Sequence, residues 1–318
     1  MKMSRMGREF RSSRREFCLA SSLCGWAAAT ARFAFWGNLT VGSTPTTSAA
    51  GMPAQAGTSG SADSDDQRIA DLVTGNHILF DQGVVDGFGH ISARCIRNPK
   101  HYWLATTRAP GLIVRDDIIE FDEDSQPVDA RGRAIHGERF IHGEIYRVRP
   151  DAISIVHSHS SAVIPFGVTK APLRPVIHTA GFLPPVTPVF EIREVAGDDN
   201  HILVNTAPFG VGLTKVLGNA PVVLMRGHGD AVVGSSVKRA VYRAIYTQLN
   251  AQIQAASLQV GQGEVVYLNS KEAANVDAIN EGGGVERSWQ IWAARASANL
   301  APLNGGGTKH SNMAPRSR

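Results

Sequence analysis

The chain is 318 residues long, with 43% apolar and 19% charged residues, which excludes a wholly disordered chain, a collagen-like chain and a polytopic membrane protein. Its net charge of +4 does not mark a nucleic-acid binder, because the charge sits at the ends. Residues 1–36 carry seven basic and two acidic side chains, residues 301–318 carry three basic and no acidic ones, and residues 37–300 hold 22 basic against 26 acidic. A mildly acidic body offers no basic face to nucleic acid.

Taken in chain order, residues 1–36 read as an export leader. Ser13-Arg14-Arg15-Glu16-Phe17 places paired arginines ahead of an apolar run from Phe17 to Ala31, the pattern of a twin-arginine signal. Periplasmic export is the expectation, with cytoplasmic residence as the alternative. Arg32 interrupts the run short of the ~20 residues that span a bilayer, so stable membrane insertion is not expected. Residues 37–65, rich in Gly, Ser, Thr, Ala and Pro, read as a flexible linker, and 301–318 as a disordered tail. The body is residues 66–300. It holds Cys95 alone of the three cysteines, so it forms no internal disulfide.

Within the body, Ile69, Leu72, Val73 and Leu79 predict a helix over Gln67–Asp81, capped by Asp65 or Asp66. His90–Ile96, after the turn Asp86-Gly87-Phe88-Gly89, reads as a strand, as do Tyr102–Thr106 and Ile113–Phe121. Glu138–Arg147 reads as a helix that stops before Arg149-Pro150. Ile153–His157 and Val222–Met225 are apolar strands, the second closed by Arg226-Gly227-His228-Gly229. Ser236–Leu258 and Ser288–Leu300 read as helices. Strands and helices mix without strict alternation, which predicts a three-layer sandwich with a mixed sheet rather than a parallel doubly wound one. The turn at Gly87-Phe88-Gly89 is followed by a strand and lacks a third glycine at dinucleotide-binding spacing, so it is not a nucleotide loop.

Ten histidines fall in the body. His157 and His159 close an apolar strand, where residues two apart share a face, so their imidazoles stand side by side. His228 lies in a Gly-flanked turn after another apolar strand. Three imidazoles suit Zn2+, with Mn2+, Co2+ or Fe2+ as alternatives, and leave a coordination position open. In His136-Gly137-Glu138-Arg139-Phe140-Ile141-His142-Gly143-Glu144, Glu138 and His142 share a helix face. Glu144 is expected to be structural or solvated. His77, His101 and His201 read as surface or packing residues.

Glu138, then Arg149-Pro150-Asp151, then Ile155-Val156-His157-Ser158-His159, and some seventy residues later Met225-Arg226-Gly227-His228-Gly229, resemble in order the class II aldolase/adducin family over residues 68–260. The resemblance implies a three-layer α/β/α sandwich around a mixed, mostly antiparallel sheet. It implies metal ligation by His157, His159 and His228, acid/base catalysis by Glu138, and a homotetramer. The chemistry it implies is a lyase reaction in which a divalent ion stabilises an enolate as a carbon–carbon bond breaks.

The departures bear on substrate. Where sugar-phosphate members have a Gly-Asn-Val-Ser turn, this chain has Gly89-His90-Ile91-Ser92. Where they have a Thr/Ser-Gly turn, it has Thr106-Thr107-Arg108, and where they have a Ser-Ser pair it has His136-Gly137. Hydroxyls and amides suited to phosphate are replaced by His and Arg. His90, Arg94 and Arg108 are therefore the candidate substrate-binding residues, the arginines as clamps for a carboxylate. The small-molecule substrate expected is a hydroxy- or keto-carboxylate, with decarboxylation ahead of retro-aldol cleavage. The alternatives are a sugar-phosphate aldolase or epimerase, and a non-catalytic adducin-like interaction domain.

Overall fold

A computed structural model describes residues 63–305. The leader at 1–36, nearly all of the linker and the tail beyond Gly305 lie outside the described residues. The elements run α1 (Asp65–Asp81), β1 (His90–Arg94), β2 (Tyr102–Ala105), β3 (Ile118–Phe121), α2 (Arg139–Val148), β4 (Ser154–Ser158), α3 (Ile164–Val168), β5 (Val189–Phe190), α4 (Arg193–Ala196), α5 (Ala207–Leu217), β6 (Val222–Met225), β7 (Gly229–Gly234), α6 (Val237–Val260), α7 (Ser270–Ile279) and α8 (Val285–Gly305).

The strands form one sheet in the order β3-β2-β1-β4-β7-β6-β5. Every neighbouring pair is antiparallel except β5 with β6. Strand side chains alternate between faces, and the sheet uses both. Ile91, Ala93, Val156 and Val232 join Leu72 and Leu79 of α1 and Val241 of α6 in one core. Leu104, Ile155, Val233 and Ala231 join Ile141 and Ile145 of α2 and Leu213 of α5 in the other. This is the expected three-layer α/β/α sandwich with a mixed, mostly antiparallel sheet. Each fully buried Leu or Ile contributes about 1.5–3 kcal/mol, so two apolar faces rather than one hold the central strands.

The boundaries differ from expectation where local chemistry competes with pattern. Ser64, not Asp65 or Asp66, caps α1: its side chain accepts from the Gln67 amide, and both aspartates enter the first turn. Residues 113–117, expected as strand, instead follow one short 3-10 turn at Pro110–Leu112 and pass through a second at Arg115–Asp117, and only Ile118–Phe121 pairs. The turn after β6 leads at once into β7, whose Gly-Asp-Ala-Val-Val-Gly sequence carries too few apolar residues to stand out. Residues 301–305, expected in the disordered tail, continue α8.

Alternation also sorts the polar residues. On β1, Ile91 and Ala93 face α1 and α6, which leaves His90, Ser92 and Arg94 on the α2 side. On β4, Val156 faces α1 and α6, and Ile155 faces α2, so His157 faces α2 as well. β1 and β4 pair with His90 opposite His157. The loop between α2 and β4 is fixed by Arg149, which grips Asp151 through Nε and Nη2 at 2.8 and 2.7 Å and donates from Nη1 to the Gly218 and Ala220 carbonyls.

Candidate active site

β4 ends on His157 and Ser158, and the chain turns out of the sheet at His159. The next sheet neighbour contributes His228 from the turn between β6 and β7. Gly229 is required there, because a Cβ would stand 1.8 Å from the Ser158 carbonyl oxygen. The two strand ends can therefore approach closely only with glycine at that position.

The three imidazoles converge. Nε2 of His159 lies 3.1 Å from Nε2 of His157 and 2.9 Å from Nε2 of His228. Oε2 of Glu138 lies 3.5 Å from Nε2 of both His157 and His228. The outer nitrogens settle the tautomers. His157 Nδ1 donates to the Asp230 carbonyl at 2.8 Å, and His228 Nδ1 donates to the Ile202 carbonyl at 2.6 Å. In the neutral, ligating form of these rings both Nε2 atoms carry lone pairs, and both point at the third nitrogen, Nε2 of His159. A cation at the centre relieves this convergence. Zn–N bonds of about 2.0–2.1 Å place tetrahedral ligand nitrogens about 3.3 Å apart, close to the observed spacing. The donor set, with carbonyls fixing the outer ring nitrogens, fits a divalent transition ion.

Glu138 occupies the N-cap position of α2. Its Oε1 accepts the Val204 amide at 3.2 Å, which leaves Oε2 to the cluster. Burial opposes its charge, but His157 and His228 outweigh burial and hold the carboxyl far below the usual range. It is an ionised base at neutral pH. His159 is pushed down to about 4, by burial first and then by His157 and His228.

The cluster opens on a cavity of about 460 Å³ whose walls include Phe88, His90, Thr107, His136, Glu138 and His159. Phe88 is exposed and stacks on His159, with ring centroids 6.0 Å apart and planes 21° from parallel. His136 lies with its ring centroid 4.4 Å from that of His90. Burial drives both toward the neutral form, His136 to about 4 and His90 well below the ordinary range, with neighbouring imidazoles adding to the effect. Behind His90, fully buried His142 is likewise held neutral.

His90, Glu138, His157, His159 and His228 are thus brought together. The two arginines are not. All three nitrogens of the Arg94 guanidinium donate to backbone carbonyls: Nε to Ala152, Nη1 to Pro99, and Nη2 to Tyr146 and Arg149. Arg94 ties the end of β1 to the loop after α2, commits four of its five N–H donors to carbonyls, and does not reach the cavity. Arg108 is half-exposed and pairs with Asp117 at 3.2 Å. Among the described residues, neither arginine nor any lysine lines the cavity. Glu144 is structural, buried and 3.3 Å from Arg147.

Phe88, His136 and His142 were not singled out as site residues in the sequence. The signal was present for His142, which shares a helix face with Glu138, and for His136, which replaces a phosphate-turn serine. Phe88 offered none beyond its flanking glycines.

An α/β/α sandwich carries here an imidazole–carboxylate cluster, at the ends of adjacent strands, of a kind that can hold a cation. Residues 70–255 match the model of the class II aldolase and adducin N-terminal domain. Decarboxylase tropJ of Talaromyces stipitatus is 35% identical over 246 residues, covering 70% of this chain and 92% of that protein. The 3,4-dihydroxyphthalate decarboxylase of Arthrobacter keyseri is 29% identical, covering 70% and 90%. An aldolase II superfamily protein from Pseudomonas syringae superposes with a TM-score of 0.63 at 20% identity, over 75% of this chain and 95% of that one. The chain belongs to the class II aldolase/adducin family.

Proposed function

We propose that this protein is a divalent-metal-dependent decarboxylase of a hydroxylated aromatic carboxylate. The observation that carries the proposal is the pairing of a cation-demanding cluster with a cavity walled by neutral imidazoles and an exposed phenyl ring, without arginine or lysine among its described lining residues. A phosphate dianion calls for cationic donors, so the cavity disfavours a sugar phosphate. A planar aromatic acid suits Phe88. The decarboxylases among its relatives support the same reaction class.

His157, His159 and His228 would hold a divalent ion, which would supply Lewis-acid stabilisation of the negative charge that develops on a substrate oxygen. The chain does the rest. Glu138 Oε2 takes the proton of the hydroxyl next to the scissile carboxylate. Glu138 returns that proton to the ring carbon that bears the carboxylate, giving the keto tautomer; the bond from this carbon to the carboxylate then breaks, carbon dioxide leaves, and the electron pair restores the aromatic ring and the charge on the oxygen. His90 and His136 meet the substrate's acceptor oxygens. Phe88 covers the ring and excludes water. The intact cluster argues against a non-catalytic interaction domain. Assembly as a homotetramer and export by the twin-arginine route belong to this proposal, tested by light scattering and by cell fractionation.

The deciding experiment measures bound metal, then incubates the protein with 3,4-dihydroxyphthalate and follows carbon dioxide. Metal at one equivalent per chain with release of carbon dioxide is the expected outcome. Absence of metal refutes the site. Aldehyde release from a hydroxy-keto acid, or tight binding of phosphoglycolohydroxamate, points instead to an aldolase.

A further inference from the structure

Behind the cavity wall runs a series of buried polar groups of which the reaction above uses only the last, His90. The Tyr146 hydroxyl lies 2.8 Å from Ser92 Oγ, Ser92 Oγ lies 2.6 Å from His142 Nδ1, and His142 Nε2 lies 2.7 Å from His90 Nδ1. The backbone builds it. Ser92 and His90 alternate onto the α2 side of β1, and His142 and Tyr146 are one helical turn apart on α2. All four residues are buried.

Each link holds one proton, so the series has a direction. The Tyr146 hydroxyl meets no hydrogen-bond partner other than Ser92 among the described residues. If Ser92 donated to Tyr146, the tyrosine proton would be buried without an acceptor. The arrangement that satisfies every group starts at the tyrosine. Tyr146 donates to Ser92, Ser92 donates to His142 Nδ1, and His142 Nε2–H donates to His90 Nδ1. The one proton of neutral His90 is then on Nε2, the ring nitrogen the series leaves free beside the cavity.

We infer that Tyr146, Ser92 and His142 are positioning residues that lock His90 as its Nε2–H tautomer, making it a fixed hydrogen-bond donor to an acceptor oxygen of the substrate. The series does not deliver protons from solvent, because it ends on a buried phenol. Burial raises the ionisation of Tyr146 far above its ordinary range, so the phenol does not give up a proton for transport. A dead end of this kind fixes orientation and tautomer. A donor of fixed sign accepts a carboxylate or carbonyl oxygen and rejects a group that itself must donate, such as an ammonium. The inference depends on the decarboxylase reading only for which oxygen is met.

The tautomer is read directly by nitrogen-15 NMR of the histidine side chains in the full, metal-loaded chain, with His90→Gln used to assign the resonance. The expected spectrum shows protonated Nε2 and bare Nδ1 at His90. Tyr146→Phe and Ser92→Ala are expected to mix the two tautomers at His90 and to lower kcat/KM for 3,4-dihydroxyphthalate by about 10-fold, as loss of second-layer support commonly does, at unchanged metal content. A His90 protonated on Nδ1 in the unsubstituted protein overturns the inference. So does an unaltered His90 signal in both variants. If either variant fails to fold, the unsubstituted spectrum still decides. Because the tautomer is read without turnover, a protein with the expected spectrum and no decarboxylation refutes the activity and leaves the tautomer lock standing.

Discussion

His136 gives the sharpest test of the cavity's electrostatics. Its folded-state pKa of about 4 lies below the 6.5 of an ordinary imidazole, chiefly through burial, with His157 adding to it. Between those values the unfolded chain holds a proton that the folded chain lacks, so acidification favours unfolding. The contribution is absent above pH 6.5 and grows as the pH falls toward 4. One proton is worth about 1.4 kcal/mol per pH unit, or about 2.7 kcal/mol between roughly pH 6.5 and pH 4.5. His136 borders the cavity, and water there trims the effect to about 2 kcal/mol. Urea unfolding of chelator-treated protein across this range is the assay, with His136→Gln as the comparison. The unsubstituted protein should lose stability on acidification faster than the variant by that margin. Parallel curves would show that His136 titrates normally and that the cavity does not suppress cationic imidazole.

Three further outcomes follow from the geometry. His228→Ala should remove bound metal and, with metal present at about a thousand times its dissociation constant, forgo about 4 kcal/mol of ligand stabilisation, read as a Tm that no longer responds to chelator. Arg94→Met strips four carbonyls of their donor and should cost about 3 kcal/mol or more in urea unfolding, while any active fraction keeps its KM; a selective rise in KM would restore Arg94 to the substrate. Gly229→Ala should abolish metal binding or folding, since its Cβ would stand 1.8 Å from the Ser158 oxygen; a well-folded variant with full metal content would mean that the β4–β7 junction yields.

The imidazole cluster was legible in the sequence because its signals are local. His-x-His at the end of an apolar run and a histidine between glycines each announce themselves within five residues. The sheet's mixed character was legible from the irregular order of strand and helix. β7 was not, because its identity comes from pairing with β4 and β6 on both sides rather than from its own composition. The arginines misled for a related reason. Charge and proximity to a motif suggested a carboxylate clamp, whereas the partners of Arg94 are carbonyls from residues 99 and 146–152, brought together only by folding. The helix at Ala207–Leu217 was missed behind a proline and two glycines, which serve its first turn and its packing: a Cβ at Gly210 would meet the Phe140 carbonyl at 2.6 Å.

The pairing of His90 with His157 across β1 and β4 makes the sheet a ruler. On the proposed reading, the gap between the cation's ligand and the residue that reads the substrate is set by strand spacing, which side-chain changes do not alter. Exchange of position 90 is therefore expected to change substrate preference while leaving metal binding intact. A slip of one residue between these strands would turn one of the two partners to the opposite face and separate them at a stroke. On the proposed reading, chemistry and specificity are the two ends of one rung of the ladder, free to vary in identity but not in distance.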